Sequence, residues 1–282
     1  MTDFVKDWVA QSAYATTLGM RLAEVGDQAA SIALPFDEAN ANPGNALHGG
    51  IAVSASVTAA HALARHVLGA DTGPWHTMDF QINYLAAAIG EDIRATARLL
   101  RRGKELCFMA VDVTTDDGKA IANCAIAVRG RLGKEAAEAP QAAGDHGEID
   151  PGFMAERIAA NPFISGRGIA MDFMRDGQVR LVMPWQHSNG EALGGVHEGA
   201  ALALLDTAGA MCSWSITGLG KFKASTPSIQ AQILAPPPKG DLVAYGNVGY
   251  RDHEMYWNDI EVAEAATGRL FARGTVLYRI FS

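Results

Sequence analysis

The sequence has 282 residues, 49% of them hydrophobic and 19% charged, with a formal net charge of −8; this is a soluble globular composition and excludes a disordered or fibrous chain. The acidic balance, with no block of Lys or Arg, argues against nucleic acid or an anionic membrane surface as the main partner. Length alone admits either one domain or two.

In chain order, the N-terminus MTDFVKDWVA carries acids early and lacks the apolar stretch of a signal peptide. Phe4–Tyr14 reads as a short amphipathic start, and Gln28–Phe36 as a half-buried strand with period-2 alternation. After a loop rich in Asn, Gly and Pro, His48–Leu68 is apolar nearly all round and long enough for five or six turns, so protein must wrap it on most sides. Strands are predicted at 76–86, 91–101, 105–115 and 119–130, with Asp116-Asp117-Gly118 turning between the last two. Residues 133–150, GKEAAEAPQAAGDHGEID, have no β pattern and read as a linker. The same order then returns: a short start at Pro151–Pro162, a strand at Gln178–Trp185, a helix at His197–Thr217, and strands at 225–235, 241–251, 254–264 and 269–280. The apolar run Gly199–Gly220 holds Asp206 and several Ser, Thr and Gly residues, which suits a buried helix better than a membrane span.

This return is a repeat at a fixed offset. His48 and His197 lie 149 positions apart, and the same offset pairs Phe4 with Phe153, Gly19 with Gly168, Asn40 with Asn189, Thr58 with Thr207, Thr77 with Thr226 and Asp92 with Asp241. Near the last hairpin it becomes 150, aligning Gly118-Lys119 with Gly268-Arg269. The expected organisation is an N-terminal unit over 1–132, a linker over 133–150 and a C-terminal unit over 151–282. Each unit is of α+β class, an antiparallel sheet wrapped around a long central helix.

Asp206 is the only charged residue in its apolar run, and burying a carboxylate costs several kcal/mol or forces protonation. Its partner at the offset is Val57, so the repeat carries a carboxylate on one helix only. A capping or hydrogen-bonding Asp is the structural alternative. At the helix starts, His48-Gly49-Gly50 and His197-Glu198-Gly199 place glycine where a loop becomes a helix, and free first-turn N–H groups there can hold a carbonyl oxygen or oxyanion. The alternative is a glycine that merely permits the turn, with the His supporting the loop. His61 and His66 are expected near the helix C-terminus, where the dipole suffices to explain them. Arg101, Arg102, Lys104, Lys221 and Lys223 read as solvated surface charges. The eight His form no HxH or HExxH pattern and there is no GxxxxGK[ST], so neither a zinc site nor a phosphate loop is expected. Three cysteines (Cys107, Cys124, Cys212), odd in number and widely spaced, fit a reduced, cytoplasmic protein.

The loop Asn42-Pro-Gly-Asn-Ala-Leu-His48-Gly49-Gly50, the stretch GGVHEGAALALLDTAGAM, and the segments WHTMDFQINYLAAAIGEDIRATARLL and TPSIQAQILAP resemble the hotdog-fold acyl-CoA thioesterases, specifically the phenylacetate-degradation type within the hydroxybenzoyl-CoA thioesterase superfamily. The resemblance covers almost the whole chain, once per half, and implies a double hotdog whose halves mimic a homodimer. It further implies a site between halves, with the Gly49 N–H polarising the thioester carbonyl and Asp206 acting as general base or nucleophile. Thr226 would hold the attacking water, Asn42 would support the substrate or its loop, Gly50 would bind the substrate, and His48 would shape the loop or touch the substrate. The second pseudo-site, Glu198 with Val57, lacks the carboxylate and is expected to be degenerate. No cofactor and no metal are implied, CoA being part of the acyl-CoA substrate; the remaining expectations are a homo-oligomer and no nucleic-acid or membrane partner. A non-hydrolytic acyl-CoA-binding or regulatory protein is the alternative, favoured by Val57 and Glu198. A hydratase is weaker, because its Asp-x-x-x-x-His pattern is missing.

Overall fold

The computed structural model describes residues 2–282. The first half runs α1 (Thr2–Gln11), α2 (Ala13–Thr17), β1 (Arg21–Val25), β2 (Ala29–Leu34), α3 (Gly49–Leu68), β3 (Trp75–Tyr84), β4 (Ile93–Arg102), β5 (Leu106–Thr115) and β6 (Ala120–Gly130). The second runs α4 (Ala155–Ala159), α5 (Pro162–Gly166), β7 (Ala170–Arg175), β8 (Gln178–Met183), α6 (Glu198–Thr217), β9 (Lys223–Ile233), β10 (Leu242–Arg251), β11 (Met255–Glu264) and β12 (Leu270–Phe281). The order of elements is the same in both. Each half has six strands where the sequence suggests five; the additions, β1 and β7, are short, and each carries a bulge, at Leu22/Glu24 and Met171/Phe173, that breaks the alternation by which strands are recognised.

All twelve strands form one antiparallel sheet in the order β1-β2-β4-β5-β6-β3-β9-β12-β11-β10-β8-β7, which reads as the same sequence of elements from either end. The join is β3 against β9, where Phe80 faces Ala231 and Ile82 faces Ile229. Helices α3 and α6 are long and apolar enough to cross a membrane by composition, but most of each is buried inside the protein. Their buried hydroxyls are satisfied within the fold: Ser54 Oγ donates to Gly50 O at 2.6 Å and Thr58 Oγ1 to Ser54 O at 2.7 Å, while Cys124 Sγ donates to Ser56 Oγ at 3.2 Å.

The two helices pack on each other and run in opposite directions, because the start of α3 meets the middle of α6 and the start of α6 meets the middle of α3. At Gly50 a Cβ would stand 2.7 Å from Ala203 Cβ, and at Gly199 it would stand 2.9 Å from Ser54 Cα. The glycine at the second position of each helix is therefore required for helix contact. Equivalent side chains support the two starts: Asn40 Nδ2 donates to Leu18 O at 3.0 Å and Asn189 Nδ2 to Arg167 O at 2.8 Å, and His48 and His197 stack on Phe163 and Tyr14 of the opposite halves. Residues 133–135 stay on the first half, where Gly133 N donates to Gly73 O at 2.7 Å and Arg131 Nη1 to Glu135 O at 3.3 Å; further along, the segment lies against the second half, where Gln141 bridges to Arg269 and Leu270 N donates to Pro140 O at 2.8 Å.

Candidate active site

Where the start of α3 meets the middle of α6, a cavity of about 570 Å³ opens, lined from both halves. Asp206 is 4% exposed, near one wall. Thr226 Oγ1, near the start of β9, donates to Asp206 Oδ1 at 3.0 Å. Burial raises the Asp206 carboxyl from its ordinary 3.8 to about 6, with the Thr226 bond opposing the rise in part. The carboxylate thus titrates close to neutrality, as a general base requires.

Gly49 faces this carboxylate across the junction of the halves. A Cβ on Gly49 would stand 3.0 Å from Asp206 Oδ2 and 3.1 Å from Tyr84 Oη. The surrounding polar groups are all engaged: Ile51 N donates to His48 O at 2.9 Å, Gly50 N to His48 Nδ1 at 2.9 Å, and Tyr84 Oη to Gly49 O at 3.0 Å. Among the described residues no group accepts the N–H of Gly49 itself. An unspent donor at a helix N-terminus, in the wall of a cleft, can hold a developing oxyanion, and the buried carboxylate beside it can serve as a base.

The structure brings four of the six predicted site residues around this centre: Gly49, Asp206, Thr226 and His48, the last as the N-cap of α3. Burial lowers the His48 imidazole to about 4, so it is neutral at pH 7 and Nδ1 remains an acceptor. Asn42 also lines the cavity and accepts from Asn161 Nδ2 of the other half at 2.8 Å, which ties the loop down. Gly50 is placed differently from the expectation of a substrate contact. Its N–H is taken by His48 and its Cα abuts Ala203, so it serves the helix crossing. The apolar wall includes Ala52, Ile93, Ile164 and Met211. Leu63 belongs to the core, and Trp214 donates to Tyr278 Oη at 3.2 Å. Tyr84 and Tyr278 are cavity residues that the sequence reading missed. The signal for Tyr84 lay in the repeat: its partner at the offset is Ile233, the same polar-to-apolar contrast that singles out Asp206 against Val57.

The equivalent place in the other half is occupied by side chains. Glu198 Oε2 lies 3.0 Å from His61 Nε2, and the Thr77 N–H donates to the same carboxylate at 3.1 Å. His61 therefore reaches across the junction, in place of the helix-terminus role expected of it. His66 lies in the last turn of α3, as expected, and its Nε2 is 3.1 Å from Asp27 Oδ1. Arg65 is sandwiched between Trp8 and Trp75, with its guanidinium carbon 4.1 and 4.4 Å from the ring centres, and donates to Glu191 at 3.3 Å; Trp8 Nε1 bonds the same carboxylate. A cavity of about 230 Å³ remains there. At the same places in the first cavity the sequence supplies Ala210 for His61 and Trp214 for Arg65. Arg101, Arg102, Lys104, Lys221 and Lys223 are exposed. Among the described residues no three His, Cys, Asp or Glu side chains cluster as metal ligands would.

Residues 37–130 match the sequence model of the acyl-CoA thioesterase N-terminal domain. No curated protein matches the sequence. Among solved structures, the chain is similar to a candidate thioesterase II from Thermobifida fusca (17% identity over 93% of this chain and 96% of that one, TM-score 0.66). It is also similar to a protein with a hotdog fold from Alicyclobacillus acidocaldarius (15% identity, 97% and 98%, TM-score 0.69). A third is a TesB protein of Mycobacterium avium subsp. paratuberculosis (13% identity, 98% and 100%, TM-score 0.65). At these identities the structures establish the fold, which is the α+β hotdog. The matched domain adds the chemistry: the chain is a hotdog-fold thioester hydrolase.

Proposed function

We propose that the protein hydrolyses acyl-CoA thioesters at one site between its halves, and that units 1–132 and 151–282 are two copies of a hotdog domain joined by 133–150. The observation that carries this reading is the meeting of Asp206 from one half with Gly49 from the other, in an open cleft with Thr226 on the carboxylate. The acyl-CoA places its thioester oxygen on the Gly49 N–H. Asp206 then either takes a proton from water, whose hydroxide attacks the carbonyl carbon, or attacks that carbon itself. In both routes the carbonyl electrons move to the oxygen held by Gly49, and collapse of the tetrahedral intermediate expels the CoA thiolate, which leaves as the thiol. When Asp206 is the base, the proton it took from water passes to the thiolate. When Asp206 is the nucleophile, the bond it forms is an acyl–aspartyl anhydride; water then cleaves it to the free acid and the Asp206 carboxylate, and the proton released in that step goes to the thiolate. A preorganised donor of this kind is worth roughly 2.7–4 kcal/mol of barrier. The second pseudo-site, filled by His61, Arg65 and Trp8, is assigned no turnover.

The test is thiol release from a panel of acyl-CoAs by the wild-type chain and Asp206→Asn. The reading requires turnover by the wild type and a loss of at least about a hundredfold in the variant. Undiminished turnover in Asp206→Asn refutes it. Tight CoA binding without turnover by the wild type would favour a binding protein instead.

A further inference from the structure

We infer that Tyr84 is a positioning residue for hydrolysis: its hydroxyl clamps the Gly49–Gly50 peptide so that the free N–H of Gly49 stays aimed at the thioester oxygen. The inference rests on Gly49 being the oxyanion donor proposed above.

Two successive glycines at a helix start carry more backbone freedom than any other pair, and freedom at that point moves the donor. Each peptide unit flanking Gly49 is tied. The His48–Gly49 unit is held by its carbonyl, which accepts from Ile51 N at 2.9 Å. The Gly49–Gly50 unit is held at both ends, by His48 Nδ1 on its N–H at 2.9 Å and by Tyr84 Oη on its carbonyl at 3.0 Å. Tyr84 ends β3, the strand that joins the two halves through β9, so the clamp is fixed to the most interior part of the sheet. The hydroxyl thereby stands beside the Asp206 carboxylate at the Cα of Gly49.

The other half serves as an internal control. Its start repeats two of the three ties: Gly199 N donates to His197 Nδ1 at 3.0 Å and Ala200 N to His197 O at 2.9 Å. The third is missing, because Ile233 stands where Tyr84 stands and has no hydroxyl. There residue 198 is Glu, whose Cβ already limits the backbone, and no carboxylate waits at position 57. The clamp occurs only where the first residue is glycine and a carboxylate faces it.

Tyr84→Phe in the full chain removes one oxygen. We expect kcat to fall about tenfold, KM to stay within about twofold, and the acid limb of the pH–rate profile, set by Asp206, to stay in place. Tyr84→Ile, which installs the residue of the other half, should give the same kcat loss with an unchanged far-ultraviolet spectrum. Because Tyr84 acts through residue 49, the kcat losses of Tyr84→Phe and Gly49→Ala should combine to less than their product. A wild-type kcat in Tyr84→Phe, or losses that multiply, overturn the inference. A dead Asp206→Asn with a normal Tyr84→Phe sinks the clamp and keeps the base. A fully active Asp206→Asn with a tenfold loss in Tyr84→Phe does the reverse.

Discussion

The Asp206 carboxylate should lower the stability of the protein it serves. Its carboxyl lies at about 6 in the fold against an ordinary 3.8, and burial is the first cause. The folded state therefore holds the proton over a pH window where the unfolded chain has released it. Within that window the unfolded state binds fewer protons than the folded one, so stability falls as pH rises, by about 1.4 kcal/mol per pH unit. Across the two units or so between 3.8 and 6 the loss comes to about 3 kcal/mol, complete by pH 7. Asp206→Asn keeps an acceptor for Thr226 Oγ1 and removes the ionisation, but its amide brings N–H groups that need partners, at a cost of about 1–2 kcal/mol. The variant should therefore be more stable than the wild type by about 1–2 kcal/mol at pH 7.5, and less stable by a similar amount near pH 4. Urea unfolding of both proteins at pH 4, 5, 6 and 7.5 reads this directly. If the difference between wild type and variant is constant across that range, the carboxylate is not desolvated and the basis for its raised pKa is wrong.

Thr226→Val deletes the bond that opposes the rise in the Asp206 pKa, so the acid limb of kcat/KM should move upward from about 6 by roughly half to one unit; a limb that moves down or stays put refutes the pairing. Gly49→Ala puts a Cβ at 3.0 Å from Oδ2 and 3.1 Å from Tyr84 Oη, which displaces the carboxylate by a few tenths of an ångström. The expected result is a loss of about tenfold to a hundredfold in kcat, with a melting temperature close to wild type, and an unchanged kcat would place the reacting carbonyl elsewhere. His61→Ala leaves the buried Glu198 carboxylate short of a partner and should destabilise the protein by about 3 kcal/mol. Per folded molecule, its thiol release should match wild type within about twofold, since His61 does not line the first cavity; a large kcat loss would show that the two places are coupled.

The two long helices and the ten longer strands were legible because their patterns are strong: α3 and α6 start one residue after the boundaries read from His48 and His197, and β3–β6 and β9–β12 fall within about three residues of theirs, whereas the single short start read in each half, Phe4–Tyr14 and Pro151–Pro162, is two helices. The short bulged strands β1 and β7 were not, since a bulge shifts the phase of alternation halfway along a short strand. Asp206 and Gly49 were legible because one is a charge in an apolar run and the other sits at a loop-to-helix boundary. Their adjacency was not a matter of pattern, and came from the resemblance. His61 was misjudged for a related reason: its position in the helix is visible in sequence, but what it faces is set by the antiparallel crossing of α3 and α6, which brings residue 61 to residue 198. Gly50 was misjudged because a glycine needed for helix packing and one needed for substrate contact look alike until Ala203 is placed against it.

The same crossing explains why one chain contains two buried carboxylates with opposite fates. Asp206 and Glu198 are 4% and 5% exposed, so burial opposes ionisation in both. At Asp206 one hydroxyl answers it and the carboxyl rises to about 6. At Glu198 burial is outweighed by His61 and by bonds from His61 and Thr77, and the carboxyl falls to about 2. A carboxyl lowered from its ordinary 4.5 stabilises the fold at any pH above that value and loses the contribution only as pH drops through about 2. Near neutral pH one junction thus strengthens the contact between halves while the other weakens it, and the weakened one is where a cleft is open. A symmetric pair of chains could not divide the roles in this way, because any change that filled one junction would fill both. Joining the halves in a single sequence lets position 57 become Val and position 198 become Glu without altering positions 206 and 49, so that the stability drawn down by a desolvated carboxylate at one junction is offset by a hydrogen-bonded carboxylate at the other.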